Sequence, residues 1–231
     1  MEVECVDLSY PLINHPTTLQ LIGPSFSGKT TILKRLLKYR QDIFSEDFNH
    51  IIYCYGESTS NFEKDIPEAQ LHKGLPTQEE LEGWIALYSH SPWIICIDDL
   101  GQEFHNSQIG SDICTKLSHH FNVSVILISH SLYQAGTKAG SSRLISLNMH
   151  NFIFTRSLRD LGVYANFGRQ CLGNGCGSAF VQSFLDATEP RDDIEKPGYL
   201  LATLHPLYST RGLLLFTNIF RDEKPLVGYK T

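Results

Sequence analysis

Residues 19–31 read Leu-Gln-Leu-Ile-Gly-Pro-Ser-Phe-Ser-Gly-Lys-Thr-Thr, a short apolar strand that runs into Gly23-x-x-x-x-Gly28-Lys29-Thr30 and then into a helix pattern. That context separates a working phosphate loop from a chance match. A triphosphate needs many hydrogen-bond donors in a small volume, and the glycines let backbone N–H groups converge where a side chain would intrude. The spacing assigns Gly23, Pro24, Ser25, Phe26, Ser27, Gly28, Lys29, Thr30 and Thr31 to the cradle of an ATP phosphate tail. Lys29 supplies a point charge between the β- and γ-phosphates, and the Thr30 hydroxyl is offered to Mg²⁺. Ile32, Leu33, Leu36 and Leu37 share one face, so the loop is expected to end at a helix N-terminus whose dipole favours anions.

The second chemical signal is Trp93-Ile-Ile-Cys-Ile-Asp-Asp-Leu100, an apolar strand that ends in two carboxylates. In this setting it reads as a Walker B strand, with Asp98 in the Mg²⁺ shell and Asp99 placed to orient and deprotonate a water. Strands are also expected at Asn49–Tyr55 and Val123–His130, the latter placing Ser129 and His130 at its tip as a phosphate sensor. The predicted order of strands implies an α/β, three-layer P-loop NTPase of the additional-strand (ASCE, RecA-like) type. Its fourth strand inserts between the first and third of a central, mostly parallel sheet. Tyr199–Pro206 and Arg211–Phe220 read as a closing C-terminal hairpin. Residues 57–77 and 134–142 read as loops, 106–121 as a helix, and 161–188 as two helices broken at Gly173-Asn-Gly175. Thr77-Gln-Glu-Glu80 has the form of a capping box. Residues 1–16 are taken as an N-terminal arm or edge segment, and 17–231 as a single domain.

Composition narrows the setting. No apolar run approaches a membrane span, and Met1-Glu-Val-Glu-Cys5 lacks the basic start of a secretion signal, so a non-secreted protein without a membrane partner is expected. Six cysteines without a disulfide-type spacing fit a reducing compartment. A net charge of −6 argues against a chain that wraps nucleic acid globally. Lys29, Lys34, Arg35, Lys38 and Arg40, with no acid among them, read as a solvated helix face in preference to a nucleic-acid contact, which stays open as the alternative.

Further motifs carry a resemblance. Ser118-His-His-Phe-Asn-Val-Ser-Val125, Ser129-His-Ser-Leu-Tyr133, Arg143-Leu-Ile-Ser-Leu-Asn148, Arg159-Asp160, Gln170, Asp186-Ala-Thr188, Leu201-x-x-Leu204-His205-Pro206 and Thr217-Asn-Ile-Phe220 follow the phosphate loop in a specific order. Over residues 17–220 the chain resembles the genome-packaging ATPases of Polinton/Maverick elements, adintoviruses and virophages, the poxvirus-type branch of the FtsK–HerA superfamily. The resemblance implies a motor that hydrolyses ATP with Mg²⁺ and pumps double-stranded DNA into a capsid. It further implies capsid proteins as partners, a homo-oligomeric ring (pentamer or hexamer), and a virion-associated or host nuclear or cytoplasmic location. It also implies an arginine finger reaching a neighbouring subunit's γ-phosphate, with Arg143 the first candidate and Arg159 the second. The family's Thr-Gln-Asn at the fourth-strand tip is here Ser129-His130-Ser131, and Leu158 replaces a usual proline.

Two other readings stay open at this level. Asp98-Asp-Leu-Gly101 matches the Asp-x-x-Gly of GTPases, which together with the phosphate loop would suit a small-molecule kinase or GTPase, although no Asn-Lys-x-Asp occurs. The altered sensor also suits a nucleotide-gated assembly protein that does not hydrolyse. No Leu-Ser-Gly-Gly-Gln occurs, which disfavours a transporter ATPase.

Overall fold

The strand that precedes the predicted phosphate loop is buried at every position from Thr18 to Ile22, as a strand flanked on both edges and covered on both faces must be. The computed structural model describes residues 2–5, 11–56, 62–133, 139–204, 215–223 and 225–230; the side chains of Glu2, Glu4, Leu117, His119, Lys230 and residues 139–142 are excepted. Ten strands form one sheet: β1 (Glu2–Cys5), β2 (Thr18–Ile22), β3 (His50–Tyr55), β4 (Ala69–Lys73), β5 (Trp93–Asp98), β6 (Val123–Ser129), β7 (Asn151–Thr155), β8 (Tyr199–Thr203), β9 (Leu215–Thr217) and β10 (Val227–Lys230). Their spatial order is β1-β10-β9-β8-β7-β2-β6-β5-β3-β4. β6 therefore lies between β2 and β5, as the sequence order of the motifs implies.

The helices are α1 (Lys29–Lys38), α2 (Arg40–Ile43), α3 (Phe62–Asp65), α4 (Gln78–Tyr88), α5 (Gly101–Asn106), α6 (Gln108–Asp112), α7 (Ser118–His120), α8 (Ala139–Leu147), α9 (Leu161–Leu172) and α10 (Gly177–Ala187). They cover both faces of the sheet. On one face Leu19, Leu21, Ile94 and Ile126 pack with Ile32, Leu33, Leu36 and Leu37 of α1. On the other, Ile95, Ile97, Val125 and Leu127 pack with residues such as Trp84, Phe104, Phe167 and Phe180. The alternation of side chains along each strand feeds the two cores, and the result is an α/β arrangement of three layers.

Several expectations change. The sheet is mostly parallel, as expected, but its antiparallel part is larger than a hairpin: the five pairings from β7 through β4 are parallel, and the four from β7 through β1 are antiparallel. Within 57–77, expected as a loop, lie α3 and β4. β4 forms the parallel sheet edge, and its polar Ala-Gln-Leu-His-Lys pattern leaves three of five residues exposed, which is why it does not read as a strand. The helix expected at 106–121 is interrupted at Ser107, which caps α6 through Gly110 N–H, and passes through a π-helical turn at Ile113–Leu117. Residues 139–142, expected as loop, open α8, while 134–138 lie outside the described residues. Glu2–Cys5 is an edge strand on β10. β8 and β9 form the predicted antiparallel pair, and residues 205–214 between them lie outside the described residues. The capping box at Thr77 and Glu80, and the break between α9 and α10, are found as expected.

All six cysteines are free. Among the described residues, no helix is long and apolar enough to cross a membrane.

Candidate nucleotide site

The parallel strands β2, β5 and β6 end side by side, and their C-terminal ends gather most of the predicted residues. Gly28 adopts φ 88°, in the left-handed region, and caps α1. A Cβ there would lie 2.7 Å from the Pro197 ring, so glycine is required twice over. At Gly23 a Cβ would come within 1.8 Å of Thr155 Oγ1. Thr155, at the tip of β7, donates to Ile22 O at 2.9 Å and lies 2.6 Å from Ser27 Oγ, which is 2.8 Å from Pro24 O. The loop is thus pinned from the side by a threonine on the neighbouring strand. Phe26, at φ 63°, is fully exposed at its tip.

Lys29 is 9% exposed and donates to Gly23 O and Pro24 O, both at 2.8 Å. Burial pulls its ammonium below the ordinary lysine value, while Asp98 and Asp99 oppose that shift. Asp98, 6% exposed, accepts from Tyr53 Oη at 2.7 Å and from Thr30 Oγ1 at 3.5 Å. Burial raises its carboxyl above the usual range, the Tyr53 hydrogen bond opposes this, and the charge of Asp99 adds to it. Thr30 and Asp98 therefore converge as two hard oxygen donors beside the loop 23–28. Mg²⁺ commonly takes one or two carboxylates plus substrate phosphates, not an all-protein cage, and this pair fits that pattern.

Asp99 differs from Asp98 in nearly every respect. Its backbone sits at φ 58°, a conformation that costs a non-glycine residue roughly 1 kcal/mol. The turn swings the carboxylate out of the buried layer: its side chain is 52% exposed, and Oδ1 lies 3.8 Å from His130 Nε2. Gly56 makes room for that turn, because a Cβ there would meet Asp99 O at 2.8 Å. Of the two acids only Asp98 is buried. Asp99, Gln102, Ser129, His130, Ser131 and Tyr133 line a cavity of about 430 Å³.

Three residues outside the predicted set organise this centre. Tyr53 holds Asp98; the β3–β5 register sets Tyr53 opposite Cys96 and Tyr55 opposite Asp98, so Tyr53 projects from the same face as Asp98. Gln20, 2% exposed, aims its amide at Ser129 Oγ (2.9 Å) and at the carbonyls of Ser131 and Leu132 (3.4 and 3.3 Å), fixing the turn that carries His130. A lone amide in an apolar strand is the available signal for it. Thr155 and its loop contact have no comparable signal.

The two arginines are not gathered in. Arg143 on α8 and Arg159 after β7 are both exposed, and neither makes a hydrogen bond or ion pair among the described residues. The basic stripe of α1 is largely neutralised: Lys34 pairs with Asp65, Arg35 with Asp222 and Glu223, and, just beyond α1, Arg40 with Asp47 and Glu68. The face expected to be merely solvated is thus built into the fold. No family model matches the chain, and no curated protein matches it.

Proposed function

We propose that this chain is an additional-strand P-loop ATPase that hydrolyses ATP with Mg²⁺ and uses the cycle to drive double-stranded DNA into a capsid as a ring of subunits. The observation that carries the ATPase reading is the convergence of Lys29, Thr30, Asp98, Asp99 and His130 on the C-terminal ends of three adjacent parallel strands. The DNA, capsid and ring assignments rest on the resemblance over residues 17–220.

In this reading the N–H groups of residues 23–31 hold the phosphate tail, and Lys29 exchanges its bonds to Gly23 O and Pro24 O for phosphate oxygens. Thr30 and Asp98 would hold a magnesium ion, which would supply positive charge beside the phosphate tail. Asp99, open to the cavity, accepts a proton from the attacking water as the water oxygen bonds to the γ-phosphorus and the bond to ADP breaks. His130, 3.8 Å from Asp99, donates to the γ-phosphate oxygens. Arg143, or Arg159, is proposed to complete the charge on a neighbouring subunit's site.

The test is ATP turnover with and without linear duplex DNA. Parent protein is expected to hydrolyse ATP faster with duplex, and Lys29→Ala to lose nucleotide binding and turnover with its fold intact. A folded Lys29→Ala that turns over like the parent removes the phosphate-loop reading. Turnover indifferent to DNA removes the translocase part alone.

A further inference from the structure

A groove runs along the outer side of α1 from Thr31, next to Thr30 of the phosphate loop, to Tyr39, just past the helix end. Eight residues of helix make it roughly 12 Å long. Its volume is about 450 Å³, within the range of small-ligand sites. Ile66 contributes to one wall, and Glu195 and Lys196 form the other. The second wall is continuous with the phosphate loop, because Pro197 packs on Gly28.

Charge pairing decides what the groove suits. Lys34 is bonded to Asp65 at 2.6 Å, while Arg35 and Lys196 both pair with Asp222. Lys38 lies 5.6 Å from the centre of the Tyr39 ring. The Glu195 carboxylate makes no hydrogen bond or ion pair among the described residues, although its backbone N–H is fixed by Asp193 Oδ1 at 2.9 Å and Lys196 Nζ anchors the wall to Asp222 O at 2.9 Å. The groove's charges are thus paired except for the Lys38 ammonium and the Glu195 carboxylate, which have no ion pair among the described residues, and the free carboxylate suits an uncharged body bearing hydroxyl donors and an apolar ring.

Building on the phosphate-loop reading, we infer that this groove is the nucleoside half of the site, in which Glu195 accepts hydrogen bonds from the ribose hydroxyls and the base lies toward Ile66 and Tyr39. A carboxylate accepting from a vicinal diol makes charge-assisted bonds, stronger than neutral ones. Glu195 is a specificity residue in this assignment, and the phosphates remain the business of the loop.

Equilibrium binding with Mg²⁺ tests it, comparing ATP, 2′,3′-dideoxy-ATP and inorganic tripolyphosphate on the full chain. Glu195→Ala should weaken ATP roughly ten-fold or more and erase the parent's preference for ATP over the dideoxy nucleotide. Tripolyphosphate should bind as tightly as before, or slightly more tightly, since a negative charge has been removed. That sign is diagnostic: losing an anion cannot weaken an anionic ligand by Coulomb forces, so a selective loss of ATP must come from the ribose. Glu195→Gln, which keeps a neutral acceptor, should fall between. Equal weakening of ATP and tripolyphosphate, no change in either, or a parent blind to the ribose hydroxyls would each overturn the assignment. Tripolyphosphate binding to Lys29→Ala separates the two levels. If Lys29→Ala binds it like the parent, the phosphate-loop reading fails; if it loses it while Glu195→Ala leaves ATP untouched, only the groove assignment fails.

Discussion

At each end of β6 a histidine faces an Asx residue held at positive φ, and the two pairs behave differently. At the N-terminal end the Oδ1 of Asn122 (φ 55°) accepts from His15 Nε2 at 2.9 Å, and His15 Nδ1 lies 2.7 Å from Ser124 Oγ. Ser124 Oγ also receives Thr17 N–H, and Asn151 Nδ2 donates to Thr17 Oγ1. At the C-terminal end Asp99 (φ 58°) and His130 stand 3.8 Å apart, both more than half exposed, beside an open cavity. The same local geometry is saturated in one place and left unsaturated in the other. Polar groups that hold a fold find partners within it, whereas groups meant for a ligand keep capacity in reserve.

The comparison can be broken from the chemical side first. Asp99→Asn gives the C-terminal pair the composition of the N-terminal one, a left-handed amide facing a histidine. Turnover should fall at least ~100-fold, the usual worth of a general base, with Mg-ATP still bound and the unhydrolysed complex accumulating. Single-turnover hydrolysis beside equilibrium binding checks this, and parent-like turnover would remove Asp99 from the water-activating role. A smaller effect is expected one layer deeper. Gln20→Leu frees the Ser129–Leu132 turn that carries His130, and should lower turnover per folded molecule roughly ten-fold while sparing ATP affinity. A loss confined to melting temperature would make Gln20 a core residue and nothing more.

How much of this is written in the sequence depends on the scale of the signal. The phosphate loop, the strand ending in Asp98 and Asp99, and the tip at Ser129 and His130 are contiguous strings, and each string lies at the same end of the sheet. What the strings cannot carry is contact across them. Tyr53 reaches Asp98 over 45 positions, Gln20 reaches Ser129 over 109, and Thr155 reaches Ser27 over 128. Only strand register brings these together, and register follows from pairings among all the strands. β4 is missed for a different reason. An edge strand with polar residues at 70, 72 and 73 buries little, so hydrophobic alternation has nothing to show.

His15→Ala sharpens the comparison from the structural side. It strips partners from Ser124 and Asn122, and should cost about 1–3 kcal/mol of stability while leaving the catalytic rate of the folded fraction unchanged. Chemical denaturation and turnover, measured on one preparation, separate the two. The gentlest probe is pH. Burial lowers the His15 imidazole below its ordinary 6.5, against opposing hydrogen bonds from Asn122 and the charge of Glu46, and burial alone lowers His105, whose ring nitrogens have no partner among the described residues. Below 6.5 the unfolded chain therefore binds protons that the native chain resists, so these two groups make stability fall as pH drops through 6.5 and contribute no slope well above it. Melting temperature between pH 7.5 and 5.5 should decline less steeply in His105→Leu than in the parent; an identical slope would mean that His105 is not held neutral.

The pairing of β1 with β10 has a mechanical meaning. Glu2 faces Lys230, and the ladder runs inward to Cys5 against Val227. A pull applied between Glu2 and Lys230 loads the ladder at its open end, so the rungs break in succession and not all at once. The next antiparallel seam, β10 against β9, has three facing pairs. Tension applied at Glu2 and Lys230 would be relieved at that margin of the sheet before it reached the parallel strands β2, which leads to Lys29, and β5, which ends in Asp98, and the margin would behave as a mechanical fuse for the interior.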